Sequence, residues 1–210
     1  MDALSALLQE KIKPEKILYE RGYAHVAGVD EAGRGPLAGP VIASAVVLPQ
    51  TWHHPDIKDS KKLTAVKRER LFYAIQEHAL AWNWALVEPP EIDRINILQA
   101  SLLAMKKAIE TLGMTPDYIL IDGPHAISSF IPQTPIIKGD IKSFTISAAS
   151  IMSKVVRDSI MKKYHRMYPL YNFLRNKGYG TKEHLEALRI YGHCPIHRKT
   201  FKRVAPAEKN

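Results

Sequence analysis

Apolar residues in this chain follow two rhythms. Short dense runs at Val26-Ala27-Gly28-Val29, Val41 to Leu48, Trp82 to Val87, Tyr118 to Ile121 and Ile136-Ile137 predict strands, the first two of them buried inside a sheet. Elsewhere the apolar positions return every three or four residues, predicting helices from about Thr64 to His78, Asn96 to Leu112 and Ser143 to Tyr164. In the second of these, Leu98, Leu102, Met105, Ile109 and Leu112 share one face. The first half of the third is apolar on nearly every side, as a central buried helix is. Leu4, Leu7, Leu8 and Ile12, resumed after Pro14 by Ile17 and Leu18, make residues 1–22 a helical lead-in. A last short helix follows Thr181 and ends near Tyr191.

Where the dense runs stop, acids and glycines begin. Asp30 and Glu31 close the first run, before Gly33-Arg34-Gly35 and Gly39; Asp122-Gly123 closes the run at Tyr118, and Gly139-Asp140 the one at Ile136. A carboxylate at the end of a buried strand is costly unless a cation keeps it company. Successive strand side chains point to opposite faces, so Asp30 and Glu31 serve one site only if Glu31 lies past the strand end or contributes its carbonyl. The glycines permit that departure and a close ligand approach, and Arg34 adds a fixed positive charge. In open α/β sheets ligands gather beyond the carboxyl ends of strands, which makes Asp122 a companion of Asp30 although 91 positions separate it from Glu31. The pattern reads as a metal and phosphate site. Hard oxygen ligands of this kind select magnesium or manganese.

Two other readings compete. Gly33-x-Gly35-x-x-x-Gly39 could be a dinucleotide fingerprint, but the interval is one residue too long, Pro36 interrupts it and acids precede it. Acids that merely end a strand before a turn are common singly, as Asp122 would be, and less so as a pair followed by G-R-G.

Composition narrows the partner. With 210 residues the chain holds one substantial core and a small appendage, expected as a domain over 23–204 with an extension from about 165 and a disordered tail at 205–210. Hydrophobic content of 46% with 24% charged residues is that of a soluble protein, and no apolar run nears the ~20 residues of a membrane span. The N-terminus lacks the marks of a secretory signal, so a cytoplasmic location is expected. The one cysteine, Cys194, excludes an intrachain disulfide. Residues 161–203 hold eleven Lys or Arg against two acids, the whole of the net charge of +9. Tyr164, Tyr168, Tyr171, Tyr179 and Tyr191 are interleaved with that charge, a mixture suited to a nucleic acid.

Further polar positions refine the site. Lys58 to Lys62, ahead of a helix start, suits a phosphate contact as well as it suits solvated lysines. Ser147, Ser150, Lys154 and Asp158 form a stripe on the greasy helix and are expected to face the carboxylates, where Lys154 gains acidic partners. His193, Cys194 and His197 invite a zinc reading, but a structural site wants four ligands and paired cysteines. Pro195-Ile196-His197-Arg198 is instead expected to order a basic C-terminal element.

DEAGRGPLAGP resembles the signature of the type 2 ribonucleases H (ribonuclease HII), and DSKK, KGDIKSFTISAASIMSKVVRD and Gly178-Tyr179-Gly180 follow in that family's order, over about Val26 to Val204. The resemblance implies a ribonuclease H-like α/β fold, a mixed sheet flanked by helices, with a basic helical C-terminal extension. It implies two-metal hydrolysis with Asp30, Glu31, Asp122 and Asp140 as ligands, the two ions about 3.5–4 Å apart, leaving a 3′-hydroxyl and a 5′-phosphate. The implied substrates are RNA–DNA hybrids and duplex DNA with embedded single ribonucleotides. Lys61 would lie along the nucleic-acid backbone, Gly33-Arg34-Gly35 would read the 2′-hydroxyl, and Tyr179 would pack against the sugar at the junction. A monomer is expected. The type 3 ribonucleases H carry a sizeable N-terminal domain and a G-K-G loop, against 29 residues before Asp30 and G-R-G here. A non-catalytic RNA-binding module would explain the basic segment but not the clustered acids.

Overall fold

The computed structural model describes residues 14–57 and 63–204. The beginning of the lead-in, Lys61 with its lysine-rich loop, and the tail 205–210 lie outside the described residues.

Strands β1 (Val26–Ala32), β2 (Val41–Val47), β3 (Ala81–Val87), β4 (Tyr118–Asp122) and β5 (Gln133–Ile136) form one sheet in the order β3-β2-β1-β4-β5. The first three pair antiparallel, while β4 and β5 run parallel to β1, so the sheet is mixed. Around it lie α1 (Pro14–Glu20), α2 (Ala65–His78), α3 (Pro89–Glu110), α4 (Gly139–Lys142) and α5 (Phe144–Met167). A 3-10 turn (Pro169–Tyr171), α6 (Phe173–Asn176) and α7 (Lys182–Tyr191) make the C-terminal helical extension.

The period of two along each strand sorts the core into layers. Ala27 and Val29 of β1, with Ala43, Ala45, Ile119 and Ile121, pack on α3 through Ala100, Ala104 and Ala108. The alternate residues Val26, Leu120 and Ile136 meet Ile146 of α5 on the other face, and Val46 meets α2 and α5 at Ile75 and Ala148. Both faces are covered, which is why every residue of β2 is buried.

Gly28 sets the closest approach in this layer. A Cβ there would stand 2.1 Å from the backbone carbon of Thr145, so α5 lies directly on β1. The start of α5 is fixed by Ser143, whose hydroxyl accepts the Ile146 N–H at 3.1 Å, and by buried Glu15 of α1, which accepts the Thr145 N–H at 2.9 Å.

Two elements depart from the sequence reading. The helix expected from Asn96 begins at Pro89 and breaks at Asn96 (φ 66°), whose side chain accepts the N–H groups of Leu98 and Gln99 at 3.0 and 3.1 Å. Asn96 therefore caps a second helical segment, which starts where the helix was expected to. The strand expected to end at Asp140 stops at Ile136; Lys138 takes a left-handed conformation (φ 58°), and Asp140 sits in the first turn of α4.

Candidate active site

Parallel register brings the acids together. Val29 pairs with Ile121, so the next residues along, Asp30 and Asp122, come side by side on the face that looks at α5. The β4 ladder ends there while β1 continues to Ala32, and Glu31 therefore sits beyond its neighbour's end although still within its own strand. Asp30, Glu31 and Asp122 line one cleft of about 410 Å³ with Gly33, Arg34, Gly35, Arg68, Ser150, Lys154, Arg157 and Tyr179.

Burial and mutual repulsion act against the ionised carboxylates of this cleft. Burial, then the charges of Glu31 and Asp122, push the Asp30 carboxyl well above the usual carboxylate range, against the pull of hydrogen bonds from Ser150 and the Glu31 N–H (2.7 Å). Burial and Asp122 raise Glu31 as well, and Arg34 opposes them through a 3.3 Å contact to Oε1. The other oxygen of Glu31, Oε2, is buried and accepts no hydrogen bond among the described residues. Mutually repelling carboxylates with an orphaned oxygen are a donor set that a hard divalent cation satisfies. Among the described residues no three acids or imidazoles already surround one point closely enough to ligate it.

Asp122 Oδ1 accepts the N–H of Gly139 at 2.7 Å, which bends the chain over the end of β4. Asp140 follows directly, 3% exposed, but does not line the cleft. Of the expected stripe on α5, Ser150 and Lys154 line it, while Ser147 and Asp158 do not. The acidic partner of Lys154 is Asp158 one turn on, at 2.7 Å, rather than a cleft carboxylate. Tyr179 is 47% exposed, and its ring lies over Gly35, where a Cβ would come 3.6 Å from Cε1.

Two arginines shape the loop, and the sequence reading assigned neither this role. Arg198 is fully buried and its guanidinium donates five hydrogen bonds to four carbonyls, those of Gly33 (2.6 Å), Arg34 (2.9 Å), Pro36 (2.8 Å) and Gly39 (3.0 and 2.8 Å). Arg157, 1% exposed, donates to the carbonyls of Pro40, Ala38 and Lys177. Gly33, at φ 102°, leaves the space Arg157 fills, since a Cβ would meet its Nε at 2.2 Å. Burial lowers both guanidiniums, Arg198 to about 9 and Arg157 to about 10. Arg198 is therefore removed from the basic face on which the sequence reading counted it. The interleaved tyrosines divide likewise: Tyr171 is buried and stacks on Phe173 at 5.5 Å, whereas Tyr179 and Tyr191 are exposed. Arg68 of α2, also missed, adds a guanidinium to the cleft. A charged residue on the greasy face of α5 was the available signal for Arg157; nothing local marked Arg198.

A central antiparallel meander extended by parallel strands, with carboxylates converging at the end of β1, defines a nuclease of the ribonuclease H class. The chain is similar in structure to ribonuclease H2 from Pyrococcus horikoshii OT3, at TM-score 0.72 and 29% identity, covering 86% of this chain and 95% of that one. Residues 27–204 match the family model described as Ribonuclease HII, and ribonuclease HII of Syntrophus aciditrophicus (strain SB) is 56% identical over 188 residues, 90% of this chain and 89% of its own. The chain belongs to the ribonuclease HII family and is a ribonuclease H. Its likeness to Bst-RNase HIII in complex with Mn2+ (TM-score 0.65, 18% identity, 87% of this chain and 68% of that one) is one of fold alone, and the type 3 alternative falls away on the family match.

Proposed function

We propose that the enzyme hydrolyses the RNA strand of RNA–DNA hybrids and cuts on the 5′ side of single ribonucleotides in duplex DNA, leaving 3′-hydroxyl and 5′-phosphate ends. The observation that carries this reading is the convergence of three acids, the G-R-G loop and Tyr179 on one cleft. Asp30, Glu31 and Asp122 would hold magnesium or manganese, with Asp140 joining from α4. Two such ions would supply activation of a water and charge stabilisation at the departing 3′ oxygen.

The rest is positioning by the chain itself. The backbone of Gly33-Arg34-Gly35, with the Gly33 and Arg34 carbonyls held by Arg198, presents its open side to a ribose 2′-hydroxyl. The Tyr179 ring, beside Gly35, packs on the sugar at the junction. Arg34, Arg68, Lys154 and Lys61 supply positive charge to the phosphates. Among the described residues no helix is long and apolar enough to cross a membrane, and the enzyme is proposed to act in the cytoplasm as a monomer.

The test is incubation with a duplex DNA bearing one ribonucleotide, in magnesium or manganese, beside an Asp30→Asn variant. Cutting 5′ to the ribonucleotide by the wild type alone is expected. An intact duplex, or equal cutting by the variant, refutes the reading.

A further inference from the structure

His184 and His197 are buried at 0% and 1% exposure, stand apart from the cleft lining, and take no part in the chemistry above. Their hydrogen bonds fix their tautomers. The Cys194 N–H donates to His197 Nδ1 at 2.9 Å, while the Cys194 carbonyl lies farther from the same nitrogen, at 3.3 Å; the shorter contact makes Nδ1 the acceptor and assigns the neutral ring's hydrogen to Nε2. His197 Nε2 lies 3.0 Å from His184 Nε2 and donates to it. His184 then carries its hydrogen on Nδ1, which donates to the Tyr179 carbonyl at 2.9 Å. The chain of donors runs in one direction from Cys194 to Tyr179 and closes only while both rings are neutral.

The surroundings keep them so. Tyr171 and Phe173 flank both rings, the Cys194 thiol lies 3.1 Å from His197 Nδ1, and His193 acts on His197 as a further imidazole. None of these groups is an acid that would favour a charged ring. Burial lowers both imidazoles, His197 to about 4.

We infer that His184 and His197 are a positioning relay for Tyr179, holding its peptide so that the exposed ring stays over Gly35 at the mouth of the cleft. The inference rests on the sugar-packing role proposed for Tyr179. That carbonyl also accepts the Thr181 N–H at 2.8 Å, the Tyr179 N–H donates to the Asn176 carbonyl at 2.9 Å, and Gly178 is lodged against the Ala38 carbonyl, so the relay adds the one side-chain hydrogen bond to the Tyr179 peptide among the described residues. An extra proton on either ring sets donor against donor and opens it.

Kinetics on the single-ribonucleotide duplex test this with five proteins: wild type, His184→Leu, His184→Asn, Tyr179→Ala, and the Leu change placed on the Tyr179→Ala background. His184→Leu removes both hydrogen bonds of the ring, and loss of the one to the Tyr179 carbonyl is expected to raise KM roughly five- to tenfold, with kcat at saturation retained. His184→Asn, whose amide N–H replaces the Nδ1 donor, recovers most of it. On the Tyr179→Ala background the Leu change adds nothing further. An equal KM rise on that background, or an Asn variant as impaired as Leu, overturns the relay. A Tyr179→Ala enzyme with wild-type KM overturns instead the role given to Tyr179. Should His184→Leu fail to fold, nitrogen NMR of the wild type decides: neutral His197 with Nε2–H and neutral His184 with Nδ1–H at pH 6 are expected. A charged ring, or the opposite tautomers, overturns the relay.

Discussion

Replacing Gly28 by alanine tests whether the site depends on how closely α5 lies on β1. The added Cβ would stand 2.1 Å from the Thr145 carbon and 2.4 Å from the Ile146 nitrogen, against the 3.4 Å at which contact becomes ordinary, a deficit of about 1.3 Å. Both atoms are backbone at the start of a helix held by the Ser143 cap and by Glu15, so no side chain can swing aside. The helix has to move. Overpacking of this kind costs about 1–3 kcal/mol, which for a chain of this size lowers Tm by roughly 2–12 °C. The same displacement carries Ser150 away from Asp30, and misplacement by about 1 Å costs on the order of a hundredfold in rate. Differential scanning fluorimetry gives the first number, and single-turnover cleavage well below the variant's Tm gives the second. A Gly28→Ala protein that melts and cleaves like the wild type would show that α5 has slack against the strand, and that the acids are not set by this contact.

Other substitutions probe the charges. Asp30→Asn should abolish cleavage yet melt about 2–4 °C higher in chelator, because a buried carboxyl raised by burial and two acidic neighbours costs stability when ionised at neutral pH and the amide does not; an unchanged or lower Tm contradicts this. Arg198→Met strands the carbonyls of Gly33, Arg34, Pro36 and Gly39 and should cost about 3–5 kcal/mol in urea unfolding. A loss under about 1 kcal/mol would mean that water satisfies them. His197 has a folded value near 4 against 6.5 unfolded, so the unfolded chain takes up this proton first. Its contribution to stability is therefore complete above pH 6.5 and lost as pH falls towards 4. Unfolding of wild type and His197→Gln across that window should show the difference shrinking with acid, and a flat difference contradicts the assignment.

What was legible in the sequence was whatever depends on near neighbours. Dense apolar runs marked the strands, and the acids at the ends of β1 and β4 were readable because a carboxylate after Val-Ile-Leu stretches is out of place without a reason. Asp140 was read as a strand-end acid because Ile136-Ile137 continues the apolar run; only the left-handed turn at Lys138 moves it onto α4. The Arg198 clamp could not be read at all. Arg198 bonds to carbonyls 159 to 165 positions away, and main-chain acceptors leave no trace in residue identity. The histidine relay is hidden for a related reason: its links join residues 3 to 13 apart, but end on a tyrosine carbonyl whose side chain faces elsewhere.

The Arg198 clamp also imposes an order in time. Gly39 and the residue that pins it are 159 positions apart, so at roughly 5–20 residues per second a ribosome needs about 8–30 s to make the second after the first. During that interval a nascent chain carries its acids but not the shaped loop beside them. Completion of the cleft is thus deferred until nearly all of the described chain has been made, and a stalled fragment would be left with unsupported carbonyls instead of a working nuclease.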